Sequence, residues 1–130
     1  MLLSISIHAQ SVIGRWKTID DDSNKPKSIV EVYEKNGKIF GRIEKLYLEP
    51  GEDPDPVCDE CTDHRKDKKV MGMTIITDME KDGDEWNGGK ILDPENGKIY
   101  RCKIWVEDGN LKVRGYIAFL YRTQTWLPQL

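Results

Sequence analysis

Turn dipeptides constrain this chain more than any other feature. Asn36-Gly37, Asp82-Gly83, Asn96-Gly97 and Asp108-Gly109 each stand between short runs rich in Val, Ile, Tyr and Trp. Asn36-Gly37 readily supplies the positive φ that a two-residue hairpin turn demands, and Asp82-Gly83, Pro94-Glu95-Asn96-Gly97 and Asp108-Gly109 mark further turns between neighbouring runs. The runs read as strands over 14–19, 28–35, 38–48, 71–79, 86–92, 98–107, 111–118 and 121–127. Alternation is clearest in the sixth, where Tyr100, Cys102, Ile104 and Val106 share one face and Arg101 and Lys103 the other. Gly88-Gly89 interrupts the fifth run and predicts a bulge or bend. No stretch carries the period of an amphipathic helix. About eight short strands joined mostly by tight turns predict an all-β fold, a single antiparallel up-and-down β-barrel rather than a Greek key.

A length of 130 residues suits one domain with one core. Charged residues make up 33% of the chain and the formal net charge is −3, with Lys and Arg interleaved among Asp and Glu. That balance gives no electrostatic reason to expect nucleic acid or an anionic membrane as a partner. No stretch is long and apolar enough for a transmembrane helix. Residues 1–9 read as the end of an export signal, because Met1 to Ile7 is apolar and Ala9 suits cleavage before Gln10. Residues 10–130 are then the expected barrel domain, and the expected location is periplasmic or secreted.

Residues 49–69 form a long connection with three prolines, many acids and two of the three cysteines. Connections of that length are often functional. Cys58-x-x-Cys61 admits three readings. A disulfide in an oxidising compartment ranks first. Zinc held by Cys58, Cys61, His64 and Cys102 ranks second. A redox pair ranks last, since the chain lacks the strand–helix–strand pattern that lowers a thiol pKa. Thr62 after Cys61 excludes c-type haem, and Asp53-x-Asp55 lacks the glycine and closing glutamate of a calcium loop. No metal and no cofactor are therefore expected. His8 and His64 are the only histidines. No nucleophile–histidine–acid set stands out, so an enzyme is the least favoured class.

An eight-stranded barrel is wide enough either to be filled by side chains or to hold one small ligand. Tyr33, Arg42, Tyr100, Arg114, Tyr116 and Arg122 are the strand residues expected to meet such a ligand, an apolar or amphipathic small molecule. The rival expectation is a filled barrel that meets an envelope protein through the 49–69 loop and exposed aromatics.

Several segments carry a family resemblance. Gly14-Arg15-Trp16-Lys17-Thr18-Ile19-Asp20, Gly41-Arg42-Ile43, Pro56-Val57-Cys58-Asp59-Glu60-Cys61, the run from Gly88 to Tyr100, Leu111 to Tyr116, and Arg122 to Trp126 together resemble the bacterial family catalogued as domain of unknown function 2147. That resemblance implies a small exported β-barrel and brings no established activity. A looser similarity is to lipocalin-like barrels. In those, a Gly-x-Trp on the first strand and an Arg on the last mark barrel closure, and Gly14, Trp16 and Arg122 would fill these places. The resemblance implies that the guanidinium lies over the indole.

Overall fold

The structure is a computed structural model and describes residues 11–130; the expected signal segment, residues 1–9, lies outside them. Eight strands follow one another: β1 (Gly14–Ile19), β2 (Pro26–Lys35), β3 (Lys38–Leu46), β4 (Thr74–Asp82), β5 (Glu85–Leu92), β6 (Ile99–Glu107), β7 (Asn110–Ile117) and β8 (Leu120–Pro128). Each pairs antiparallel with the next, and β1 pairs with β8, so the sheet closes into an up-and-down barrel.

The turn chemistry acts as expected at two of the four dipeptides. The β4–β5 turn is instead Gly83-Asp84, with Asp82 still in the strand opposite Glu85. Asn96-Gly97 ends a longer β5–β6 turn in which only Gly97 has positive φ. Asn36 and Gly37 take φ of 53° and 78°, Asp108 and Gly109 53° and 79°. These left-handed pairs match the twist of the strands they join. Gly88-Gly89 makes the anticipated bulge, seen as a register shift between Trp86 and Gly89 against β6. A glycine is required there, because a Cβ on Gly89 would stand 2.1 Å from the Thr77 carbonyl oxygen.

Closure differs from the resemblance-based expectation. Trp16 lies opposite Pro128 and Lys17 opposite Leu127, and Gln129 N donates to Arg15 O at 2.9 Å. Trp16 is buried and its Nε1 donates to Val12 O at 2.8 Å. Arg122 takes no part in this, since it sits near the opposite end of β8 and pairs with Asp21. No cation covers the Trp16 indole among the described residues. Backbone pairing and a buried indole close the barrel here.

One end of the barrel is solid. Val32, Ile39, Met79, Ile104 and Leu111 are essentially without solvent contact and belong to one core cluster with Val12 and Trp16. The turns at Asn36-Gly37, Gly83-Asp84 and Asp108-Gly109 lie at this end. The other end carries the longer connections.

The β3–β4 connection is irregular and contains no helix. It folds back through a short pairing of Val57 with Lys69, flanked by Cys58 N to Lys68 O at 2.8 Å and Val70 N to Pro56 O at 3.0 Å. Cys58, Cys61, Val70 and Met73 are buried within the barrel's own core cluster. Arg65 anchors the segment by donating from Nη1 to Thr74 O at 2.9 Å while pairing with Asp63 at 2.7 Å. The Arg65 guanidinium and backbone amide hold the Asp63 carboxyl down at about 2.

Candidate functional site

A cavity of about 860 Å³ opens at the end opposite the packed core. It exists because inward-facing side chains shrink or turn polar in the upper half of the barrel. Below, β2 and β3 offer Val32 and Ile39. Above, β1 and β2 offer Thr18 and Ser28, and β7 offers Gly115. Gly115 leaves room for the Tyr100 ring, whose Cβ and Cγ lie 3.5 and 3.7 Å from where a Cβ on residue 115 would be. Ile43, Ile75, Leu92, Val113 and Trp126 form an apolar wall.

Three polar features are built into that wall. Thr18 Oγ1 and Ser28 Oγ share a hydrogen bond of 2.6 Å, and both residues are buried. Thr18 Oγ1 also donates to Ser28 O at 3.4 Å, so both hydroxyl protons are engaged and the pair retains acceptor capacity only. Gln124 accepts from Trp126 Nε1 at 3.1 Å and donates from Nε2 to Asp21 Oδ2 at 3.0 Å. Arg122 reaches the same carboxylate oxygen, Nη2 to Oδ2 at 3.0 Å. The cations lining the cavity are all engaged: Arg122 with Asp21, Lys25 with Glu49, and Lys27 with Glu95 and Asp20. Partial burial works against the Lys27 charge, yet its hydrogen bond to Glu95 and the neighbouring carboxylates leave its pKa above the usual lysine range.

The six residues expected to meet a ligand divide. Tyr100 and Arg122 line the cavity. Tyr33, Arg42, Arg114 and Tyr116 do not, because each falls on the outward phase of its strand. Arg42 pairs with Glu31 at 3.0 Å and lies over the Tyr33 ring, whose other neighbour is Phe40. Tyr33 and His64 border a shallow groove on the outer wall. Arg114 lies between Trp105 and Tyr121 on the outside of β6–β8. Thr18, Ser28, Gln124 and Trp126 are lining residues that the sequence reading passed over. Strand alternation in β8, which puts Arg122, Gln124 and Trp126 on one face, was the available signal.

The cysteine motif is structural. Cys58 and Cys61 are joined in a disulfide with an S–S distance of 2.04 Å. The alternative zinc set does not assemble, since two of its thiols are consumed and Cys102 sits on β6 inside the barrel. Among the described residues no group of three His, Cys, Asp or Glu side chains could hold a metal ion. Cys102 is free and buried, and burial pushes its thiol up to about 12. No helix among the described residues is long and apolar enough to cross a membrane.

This barrel is similar to a solved structure, protein HP1028 from the human pathogen Helicobacter pylori, which is described as belonging to the lipocalin family. The TM-score is 0.77 at 19% identity, covering 92% of this chain and 84% of that one. At that identity the likeness is one of fold. No curated protein matches the sequence. A family model does match, over residues 14–127, the whole barrel from the first residue of β1 to the penultimate residue of β8. The chain therefore belongs to the family described as uncharacterized protein conserved in bacteria, DUF2147.

Proposed function

We propose that this protein binds one small, partly apolar molecule in the cup of its barrel. The observation that carries the reading is the split interior: a packed lower half beneath an open cavity of about 860 Å³. Ligand sites are characteristically concave, mostly apolar and furnished with a few placed polar groups. Ile43, Leu92, Val113 and Trp126 supply the apolar wall, and Thr18, Ser28, Tyr100 and Gln124 the hydrogen-bonding groups. A ligand carboxylate would find Lys25, Lys27 and Arg122 already bonded to carboxylates. The lining favours a neutral amphiphile bearing a hydroxyl, amide or carbonyl over a fatty acid.

We also infer that the protein works outside the cytoplasm, in the periplasm or secreted. The Cys58–Cys61 disulfide supports this, because such bonds persist in oxidising compartments and are rare in the bacterial cytosol.

Native mass spectrometry of protein purified from an oxidising compartment tests the binding reading. A reproducible added mass, lost on denaturation, is the expected result and gives the ligand's size. A bare chain that also acquires no mass from a library of neutral amphiphiles would count against it.

A further inference from the structure

The turn joining β7 to β8 departs from the other tight hairpin turns. Those have polar or glycine tips, Asn36-Gly37, Gly83-Asp84 and Asp108-Gly109. This one is Ala118-Phe119, with Ala118 held at φ 53°. Alanine adopts that left-handed conformation only against a steric penalty. The result is an apolar tip: Phe119 is 89% exposed, Leu120 63%, Tyr121 62% and Ile117 57%. A contiguous exposed apolar patch marks a surface that meets another apolar phase.

The outer wall behind the tip is cationic and aromatic. Strand register sets Lys90, Arg101, Tyr116 and Tyr121 in one outward row across β5 to β8. The next outward row, about 7 Å further from the tip, holds Lys103, Arg114 and Thr123. Arg101 Nη2 donates to Ala118 O at 3.0 Å and braces the turn. The Arg114 guanidinium lies 4.3 Å from the Tyr121 ring centroid. Lys103 pairs with Glu85. Lys90, Arg101 and Arg114 form no ion pair among the described residues, whereas Lys103 and Arg122 are matched by Glu85 and Asp21. Cations without an acidic partner thus stand on the outer wall of β5 to β7 behind the apolar tip.

We propose that the β7–β8 hairpin docks on an anionic lipid surface. Phe119 and Leu120 enter the boundary of the acyl chains, Tyr116 and Tyr121 lie at headgroup level, and Arg101 and Arg114 meet lipid phosphates. An apolar point backed by tyrosines and then by cations follows the depth profile of a bilayer interface. The tip is a convex turn only two residues wide, a shape that suits insertion better than the flat contact of a protein pair. The β1–β2, β3–β4 and β5–β6 connections at the same end carry Asp20, Asp22, Glu49, Glu52, Asp53 and Asp93, so the barrel meets a negative surface tilted onto its β6–β8 wall and away from them. Ile117, Leu120 and Tyr121 also border the mouth of the cavity, whereas Phe119 and the outer-wall cations do not, so substitutions at Phe119 and Lys90 test the docking apart from ligand binding.

Flotation of the full chain with vesicles tests the proposal, using phosphatidylcholine alone and phosphatidylcholine mixed with phosphatidylglycerol. The chain is expected to rise with the mixed vesicles only, and to be released at about 1 M salt, where the screening length shrinks to about 3 Å. Phe119→Ser, at an exposed position, is expected to weaken partitioning roughly tenfold, and Lys90→Glu several-fold, with thermal midpoints unchanged. Failure to rise with the mixed vesicles overturns the proposal, as does partitioning that Phe119→Ser leaves intact. A dimer on size exclusion that Phe119→Ser dissolves also overturns it, since the tip would then be a contact between copies of the chain.

Discussion

Arg122 and Asp21 meet across the mouth of the barrel, Nη2 to Oδ2 at 3.0 Å, joining the last strand to the first long turn. Gln124 donates to the same oxygen from the cavity wall. A rim contact is thereby coupled to the polar lining through one carboxylate.

Asp21→Asn is expected to change stability by less than about 1 kcal/mol, because Arg122 is largely solvated and such pairs contribute little. Its effect should fall on ligand exchange. With the Arg122 contact weakened and Gln124 freed, bound ligand should dissociate faster, which stopped-flow displacement would register. An unchanged dissociation rate would mean that the rim contact does not control access.

Gly97→Ala should be far more damaging than its size suggests. Gly97 has φ 73°, and a Cβ there would stand 2.0 Å from the Glu60 carbonyl oxygen. The β5–β6 turn and the disulfide loop can pack together only with glycine at this place. A loss of about 2–4 kcal/mol is expected, with the Cys58–Cys61 bond becoming easier to reduce. Thermal denaturation and a timed thiol-labelling assay would report both. The disulfide closes so short a segment that removing it by Cys58→Ser with Cys61→Ser should cost only about 2 kcal/mol.

Cys102 yields a prediction in pH. Burial alone raises its thiol to about 12 from an ordinary value of 9.0. The protonated form is favoured in the folded state, so this stabilisation is complete below pH 9.0 and is lost as pH rises through about 12. Native protein should therefore resist thiol reagents at pH 8 and react only after unfolding. Rapid labelling of the folded chain at pH 8 would show that the thiol is not buried.

Much of this architecture was legible in the sequence because its signals are local. Asn36-Gly37 and Asp108-Gly109 demand hairpins whatever surrounds them, and Tyr100 to Val106 alternate cleanly. The Ala118-Phe119 turn has no such signal, since no polar or glycine residue marks it. The β3–β4 connection was expected to end at residue 69, but Met71 and Met73 belong to it. Their apolar side chains resemble a strand, whereas Met73 is buried by tertiary packing.

The site was less legible, for a geometric reason. Type alone does not say which phase of a strand faces inward, so Tyr33, Arg42, Arg114 and Tyr116 were chosen for chemistry and lie on the outer wall. Thr18 and Ser28 look like ordinary strand hydroxyls until the β1–β2 register sets them opposite each other. The pairing of Arg122 with Asp21, rather than with Trp16, depends on distances between strands that no local motif encodes.

The most direct test of a ligand-binding cup is titration with the neutral fluorophore N-phenyl-1-naphthylamine, comparing the natural chain with Gly115→Leu. Gly115 lines the cavity without a positive φ, so leucine there should fill the space beside Tyr100 while the barrel still folds. Saturable one-to-one fluorescence enhancement in the natural chain, weakened more than tenfold in a normally folded variant, is the predicted result. Equal binding by both chains, or no saturable binding by the natural one, would contradict the account.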